Sequence, residues 1–303
     1  MTSQQMTRVP AFLYESFPAA SFGGNIAGVV LLEHPASHSW MQGVAADLGA
    51  PTTGFVDLPS ARQGCAEVRF FTPQQEIDAC GHVTVAIATA LAETGTWEPG
   101  KAAVQAAGGS YELRLRHDDH GVIVEMRQQL QRFEPLDPAP NLVSILGPTT
   151  RPGGRYPVAL ASTGLRHMLV PVHEVAALAQ LPMIASDIAT ASHRFKVDTI
   201  GVWAFDPGDQ PEVRVRMRDL CAAIGAVEEP ASGTTSGALA LALANANVLT
   251  PQRPRLAVTM GVEMGRPSLL FVHVDFDGSR PSVARLLGRS RLVLAGRVVI
   301  PVT

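Results

Sequence analysis

Short apolar runs separated by turn residues dominate the chain. In the first half, VPAFLYESF, IAGVVLL and AEVRFFTP have the length and the β-branched and aromatic content typical of strands. Residues 38–49 and 81–93 are instead long enough to form helices. The second of these segments, GHVTVAIATALAE, is apolar on every face. Such a helix must be buried, and the strands of its own half are expected to surround it.

The second half repeats this plan. Strand-like runs again lead to a glycine-containing loop, EPASGTTSG, and then to an apolar helix, whereas the corresponding loop of the first half is DACGHVT. We therefore expect an α+β protein of two similar domains, 1–135 and 136–291, joined by the Pro- and Gly-rich segment 134–153. A C-terminal strand, 292–303, could return to the first domain. Ligands favour the cleft between two such domains.

Composition excludes several classes of protein. The chain has 303 residues, 46% hydrophobic and 17% charged, which is ordinary for a globular protein. A net charge of −3 argues against a nucleic-acid partner or an anionic membrane surface. Cys65, Cys80 and Cys221 are too few for a disulfide framework, and no cysteine–histidine spacing suits a metal. Without a signal-peptide pattern, a cytoplasmic location is expected.

The starts of the two apolar helices are suited to binding an anion. A helix N-terminus carries unpaired N–H groups and a partial positive charge, and glycine lets a ligand approach the backbone. Residues 81–84 and 233–236 are the candidate cradles. The alternative is ordinary N-capping by Thr84 and by Ser232 or Thr234.

Three residues near these helix starts could transfer protons. A thiolate at Cys80 would be stabilised by the helix N-terminus. His82 could act as an acid or base, or could orient a substrate through one ring nitrogen. Glu228 and Glu229 precede the second helix, whose dipole could hold a carboxylate. Each residue also has a structural interpretation, as a small buried thiol, a structural histidine or a solvated carboxylate pair.

Together, these segments resemble the phenazine-biosynthesis PhzF family, within the diaminopimelate-epimerase-like fold. The resemblance runs nearly end to end and is carried by FGGNIAGVVLL, VRFFTPQQEIDACGHVTVA, GLRHMLVPV, EEPASGTTSGALALAL and GVEMGRPSLLF. It implies two pseudo-symmetric domains, each a curved, mostly antiparallel sheet around a central helix. It also implies a homodimer, no cofactor, and an isomerase that shifts a double bond in an unsaturated ring acid. By analogy, a role in secondary metabolism, such as antibiotic biosynthesis, is expected.

The resemblance further implies roles for individual residues. His82 matches the family's active-site histidine, Glu229 its aspartate, and Thr234 a substrate-contacting serine. Cys80 and Ser232 match the two catalytic cysteines of the epimerase relatives, so a two-cysteine racemase is not expected. Cys80 stays a candidate catalytic residue. The remaining candidate substrate-binding residues are Asn25, Thr53, Gly81, Ser232 and Gly233.

One segment departs from the family pattern. The family's proton-shuttling glutamate lies in S-E-x-x-F-V, and the matching segment here is APTTGFV, residues 50–56. The glutamate position falls on Thr52, whose hydroxyl cannot hold a proton as a carboxylate does. We expect Thr52 to hydrogen-bond to the substrate and the proton to be moved by His82, Cys80 or Glu229.

The sequence therefore predicts an isomerase acting on a small, cyclic, unsaturated carboxylate or amino acid. Two alternatives remain open. One is an epimerase or dehydratase that uses Cys80 as its base. The other is a catalytically inactive homologue that retains the anion cradle, since a fold can outlast its chemistry.

Overall fold

A computed structural model describes residues 7–129, 132–153, 156–208 and 210–300. Its first nine strands are β1 (Thr7–Ser16), β2 (Asn25–Leu32), β3 (Thr52–Asp57), β4 (Cys65–Phe71), β5 (Glu76–Ile77), β6 (Gly100–Ala106), β7 (Gly109–Asp118), β8 (Gly121–Gln129) and β9 (Arg132–Leu136). The others are β10 (Val158–Ser162), β11 (Arg166–Pro171), β12 (Thr199–Phe205), β13 (Val213–Leu220), β14 (Glu228–Glu229), β15 (Arg255–Met260), β16 (Ser268–Asp277), β17 (Arg280–Gly288) and β18 (Ser290–Ile300). The α-helices are α1 (His38–Leu48), α2 (Leu58–Ala61), α3 (Gly81–Glu93), α4 (Val143–Leu146), α5 (Ala185–Phe195) and α6 (Gly233–Asn245). Two 3₁₀ helices span Val175–Gln180 and Ala222–Ile224.

The chain divides into two compact units. The described residues of the first are 7–18, 25–126 and 288–300; those of the second lie within 19–24 and 127–287. The division therefore precedes the expected boundary at 135, because β9 pairs with β10 and belongs to the second unit. Residues 19–24 also belong there, since Arg266 binds the carbonyl oxygens of Gly23 and Gly24. Strand β18 returns to the first unit and pairs with β1.

The two units share one strand order. In the first, β1-β2-β3-β4-β6-β7-β8 are neighbours in that sequence, with β2/β3 and β4/β6 parallel and the other pairs antiparallel. In the second, β10-β11-β12-β13-β15-β16-β17 repeat this order, with β11/β12 and β13/β15 parallel. The short strand β5 pairs with β4 as β14 pairs with β13. The expected α+β fold of two similar halves is confirmed.

One apolar helix forms the centre of each unit. Helix α3 packs against β1, β2 and β3, and α6 packs against β10, β11 and β16. Every residue from His82 to Leu91 is buried, which explains why α3 is apolar on all faces. Each helix has 13 residues, and no helix within the described ranges is long and apolar enough to cross a membrane.

A second helix covers a separate core cluster in each unit. Helix α1 begins after Ser37, whose hydroxyl accepts the Trp40 N–H at 3.2 Å, and ends at Gly49, whose φ of 65° suits a glycine. Its buried residue Met41 shares a cluster with Phe55 and Phe71. Helix α5 takes the same place in the chain order, between β11 and β12, in the second unit.

Candidate active site

Asn25, Cys80 and His82 come together at the start of α3. Strand β2 begins at Asn25, and its Nδ2 lies 3.3 Å from His82 Nδ1. Cys80 Sγ lies 3.4 Å from the same ring nitrogen. The Ser16 hydroxyl donates to the His82 carbonyl oxygen at 2.8 Å, which fixes the backbone of this turn. The sequence analysis selected the first three residues from distant segments but missed Ser16, which lies in an apparently ordinary strand.

His82 is held as a neutral, buried ring. Burial lowers its pKa to about 4, and a hydrogen bond to the Ile26 backbone opposes this only in part. With Asn25 on one ring nitrogen and 5% of the residue exposed, His82 has little freedom to exchange protons with a ligand. A neutral imidazole also gives Cys80 less support as a thiolate than an imidazolium would. The arrangement favours His82 as an orienting group.

The two threonines at the start of β3 have different surroundings. Thr52 is 5% exposed and pairs with Ala27 of β2. Thr53 is fully buried, and a β-carbon added to Gly28 would lie 2.4 Å from its hydroxyl oxygen. The side chain of Thr53 is therefore packed against Gly28 of the neighbouring strand, and its hydroxyl oxygen is buried without a hydrogen-bond partner among the described residues.

Neither central helix is capped by a side chain. Cys80 and Ser232 occupy the N-cap positions without forming a capping hydrogen bond. One turn further on, Thr84 and Ser236 instead donate their hydroxyls to the carbonyl oxygens of Cys80 and Ser232, at 2.8 and 2.7 Å. The capping interpretation is therefore wrong for Thr84 and Ser232. Among the described residues, neither N-cap side chain binds the N–H groups of its first turn, which favours the anion-cradle interpretation.

The start of α6 is assembled from three adjoining residues. Ser232 is buried with its hydroxyl 2.9 Å from that of Thr235. Gly233 begins the helix, and Gln128 donates to its carbonyl oxygen at 3.2 Å. Thr234 is partly exposed, and its carbonyl oxygen accepts the Thr163 hydroxyl at 2.9 Å. Of these three residues, Thr234 is therefore the one that is accessible to solvent.

Glu229 carries the most unusual carboxyl group at this helix start. It lies in β14, is partly buried, and has a pKa raised to about 8, first by burial and then by the charge of Asp219. Asp219 has a pKa raised to about 6 by burial, which the hydroxyls of Thr235, Thr199 and Ser232 oppose. Near neutral pH, Glu229 therefore retains its proton while Asp219 is mostly ionised.

The sequence analysis missed Asp219. The residue ends the strand-like run EVRVRMRD, and a carboxylate at the end of a strand gave only a weak signal. Its importance follows from the ladder, in which Asp219 lies directly opposite Glu229. The register of two antiparallel strands cannot be read from either strand alone.

Packing explains the glycine at the first position of α6. A β-carbon on Gly233 would lie 2.4 Å from Cδ2 of Leu286, which is 1% exposed. We expect Gly233→Ala to lower the free energy of unfolding by about 1–3 kcal/mol, the usual cost of overpacking. The measurement is urea unfolding followed by circular dichroism.

Gly43→Ala is the matched control for this substitution. Gly43 lies in α1 with nothing within 4 Å of an added β-carbon. Alanine there should raise stability by about 0.5–1 kcal/mol, because it favours helix and restricts the unfolded chain. An unchanged midpoint for Gly233→Ala would show that Leu286 moves aside freely.

The duplicated strand order with one buried helix in each unit defines the class of diaminopimelate-epimerase-like α+β proteins. Within this class, the family model described as phenazine biosynthesis-like protein, PhzC-PhzF, matches residues 14–296. The chain therefore belongs to the PhzC-PhzF family, as the sequence motifs predicted.

Individual relatives cover nearly the whole chain. An uncharacterized isomerase of Deinococcus radiodurans is 32% identical over 272 residues, covering 88% of this chain and 86% of that protein. The trans-2,3-dihydro-3-hydroxyanthranilate isomerase of Pseudomonas aeruginosa is 27% identical over 290 residues, covering 94% and 98%. The crystal structure of a PhzF-family protein of Bacillus anthracis superposes with a TM-score of 0.80 at 23% identity, covering 97% and 100%.

Proposed function

We propose that this protein is a cofactor-independent isomerase of secondary metabolism that moves a proton on a small, cyclic, unsaturated carboxylate or amino acid. The observation that carries this proposal is the carboxyl of Glu229, whose pKa burial raises to about 8, at the start of α6, where the N-cap side chain of Ser232 makes no capping hydrogen bond. A proton shift needs a group that gives and takes a proton near the working pH. The Pseudomonas aeruginosa relative, named for an isomerase of a dihydroanthranilate, supports this substrate class.

The proposal assigns separate tasks to the residues of α6 and β14. The first-turn N–H groups from Gly233 and Thr234 bind the acid group of the substrate. Glu229 moves the proton, because its pKa of about 8 lies nearer neutrality than that of His82, at about 4. Thr52, which cannot carry the proton, contributes at most a hydrogen bond.

Deuterium incorporation from D₂O tests this function directly. The purified protein would be incubated with trans-2,3-dihydro-3-hydroxyanthranilate, pyrroline carboxylates and diaminopimelate, and mass spectrometry would detect deuterium on carbon. Incorporation into a ring acid is the expected result. Binding by thermal shift without incorporation would instead support a catalytically inactive binding protein.

Cys80→Ser separates the isomerase from the epimerase or dehydratase alternative. Under the proposed function this variant keeps most of the exchange activity, because the thiol does not carry the proton. Loss of exchange in Cys80→Ser, together with full exchange in Glu229→Gln, would make Cys80 the base and overturn the assignment.

We also propose that the protein forms a homodimer, and the surface of β18 supports this. Leu292, Val293 and Leu294 are consecutive residues with 44%, 51% and 50% of their surface exposed. Leu294 lies opposite Leu13 and Leu292 lies opposite the next residue, Tyr14, so a β-bulge at Val293 interrupts the regular alternation of side chains. Because Leu13 and Tyr14 face opposite sides of the sheet, apolar surface is open on both faces of β18. Adjoining exposed apolar side chains are a feature of surfaces that contact another protein chain.

Charged residues on β18 should therefore weaken the dimer. We expect Val293→Glu combined with Leu294→Lys to raise the dimer dissociation constant at least about tenfold, which is about 1.4 kcal/mol. Analytical ultracentrifugation over a concentration series measures this constant. Val143→Glu, at a residue 44% exposed in α4, is the control. An equal effect of both changes would show that β18 is not the interface.

A further inference from the structure

A buried polar network lies beneath the start of α6. The Thr235 hydroxyl donates to Asp219 Oδ2 at 2.8 Å and lies 2.9 Å from the Ser232 hydroxyl. His167 Nδ1 lies 3.1 Å from the Thr235 hydroxyl and 2.8 Å from that of Thr199. None of these five residues is more than 7% exposed. The network therefore fixes Asp219 in one position inside the second unit.

Asp219 is placed to act on Glu229. The two residues are direct partners in the antiparallel pair of β13 and β14, so their side chains share one face at a β-carbon separation of about 5 Å. Two neighbouring buried carboxyls repel each other when both are ionised, and the charge of Asp219 accordingly raises the pKa of Glu229. Asp219 accepts a hydrogen bond from the Thr235 hydroxyl, which stabilises the charged form of Asp219. When only one of the two carboxyls is protonated, the proton therefore resides on Glu229.

None of the other charged and titratable groups named here supplies a positive charge that pairs with Asp219. Arg218 forms a bidentate pair with Glu228, at 2.9 and 2.6 Å, and donates to the Leu178 carbonyl oxygen at 2.9 Å. Burial lowers the pKa of His167 to about 4, so its ring is neutral. Burial and the neighbouring carboxylates raise the pKa of the Cys221 thiol, which is therefore also neutral. Within the described ranges, Asp219 has no ion-pair partner, and its Oδ1 accepts no hydrogen bond.

The first unit shows that the fold does not require this network. Strands β4 and β5 repeat the pairing of β13 and β14, and each short strand precedes its helix at the same spacing. The corresponding residues of the two units are Phe70 and Asp219, Ile77 and Glu229, and Val83 and Thr235. The same architecture is thus built with apolar residues at positions that carry the carboxyl pair and its hydroxyl in the second unit.

An arginine–glutamate ion pair, in contrast, occupies equivalent ladder positions in both units. Arg69 binds Glu76 through two bonds of 2.7 Å, at the ladder positions that Arg218 and Glu228 hold in the second unit. This arginine–glutamate pair is present in both units, as expected for a structural feature of the duplicated ladder. The carboxyl pair is present only in the second. Burying two carboxyls has an energetic cost, so their presence in one unit points to a function.

We propose that Asp219, fixed by Thr235, is a positioning residue whose negative charge keeps the proton on Glu229. Glu229 then donates this proton to one carbon of the substrate, and the carboxylate so formed takes a proton from another carbon, which restores the resting state. The role of Glu229 in turnover rests on the proposed function. The location of the proton does not, and it can be measured without a substrate.

The test is a titration of Glu229 by ¹³C NMR in protein labelled at the glutamate side-chain carboxyl carbon. Glu229→Gln identifies the resonance. In Asp219→Asn, the titration midpoint of Glu229 should fall by about one pH unit or more, because the repulsion is lost while the burial remains. Thr235→Val should lower the midpoint by less, since Asp219 without its hydroxyl partner takes a larger share of the proton. Thr235→Ser retains the hydroxyl and should restore the wild-type midpoint.

Glu174→Gln is the control, because Glu174 is an exposed carboxyl elsewhere in the second unit. A Glu229 midpoint that stays at its wild-type value in Asp219→Asn would overturn the proposal. If that variant does not fold, an unchanged midpoint in Thr235→Val would do the same.

The proposed function and this inference can fail separately. If the Glu229 midpoint falls in Asp219→Asn but the wild type shows no deuterium exchange, the role of Asp219 is supported and the proposed isomerase activity is rejected. Exchange that depends on Glu229 but keeps the same pH profile in Asp219→Asn would retain the isomerase and exclude Asp219 as the positioning residue.

Discussion

Replacing Glu229 with glutamine should lower the rate of solvent deuterium exchange by about 10²–10⁴-fold, the usual contribution of a general acid–base group. Glutamine keeps the shape of the side chain but cannot carry the proton. Binding of the ring acid should change much less, because the N–H groups of the first turn of α6 stay in place. Mass spectrometry in D₂O gives the rate, and isothermal titration calorimetry gives the affinity.

Two further variants complete this experiment. Glu229→Asp keeps a carboxyl on a shorter side chain and should retain part of the activity, since the family pattern has an aspartate there. Glu174→Gln removes an exposed carboxyl elsewhere in the second unit and should have no effect. Exchange at the wild-type rate in Glu229→Gln would show that another group, such as Cys80, moves the proton.

The free energy of unfolding should fall as the pH rises from about 6.5 to about 8. Glu229 has a pKa of about 8 in the folded protein, above the ordinary value of 4.5. Between these values the folded state binds more protons than the unfolded state, so stability decreases with increasing pH. Between pH 6.5 and 8 the free energy of unfolding should fall by about 2 kcal/mol at most, since one pH unit corresponds to about 1.4 kcal/mol.

Below about pH 6.5 the buried histidines oppose this decline, whereas the raised pKa values of Glu229 and Asp219 favour it. His82 and His167 have folded pKa values of about 4, below the ordinary value of 6.5, so their contribution to stability rises with pH up to about 6.5. Urea unfolding at several pH values measures the net curve, and Glu229→Gln isolates the carboxyl. That variant should lose little stability between pH 6.5 and 8. If the stability of Glu229→Gln falls with pH as steeply as that of the wild type, groups other than Glu229 cause the decline.

Patterns of apolar residues predicted the helices of this fold well. The expected helices at 38–49 and 81–93 correspond to α1, His38–Leu48, and α3, Gly81–Glu93. Both segments are governed by local composition and by the apolar character of a buried helix. The duplicated plan was also visible, because each unit places a glycine-containing loop before an apolar helix.

The chemistry of the candidate site was harder to predict. His82, Cys80 and Asn25 were recognised through motifs, but the neutral state of His82 follows from burial, which depends on the whole of the first unit. The proton on Glu229 depends on Asp219, ten residues earlier in the chain, and on the register of β13 with β14. The boundary between the two units lies before the expected position at 135 for a related reason. Strand β9 pairs with β10, which follows it in the chain, and this pairing cannot be read from β9 alone.

The pairing of β1 with β18 has a consequence for synthesis of the chain. Thr7 lies opposite Ile300, so the sheet of the first unit joins the first described residues of the protein to the last. On the ribosome, the second unit can therefore complete its strands before the first unit receives β18. Until β18 has been synthesised, β1 has β2 as a neighbour and an open edge on its other side, where a chaperone or another nascent chain could bind.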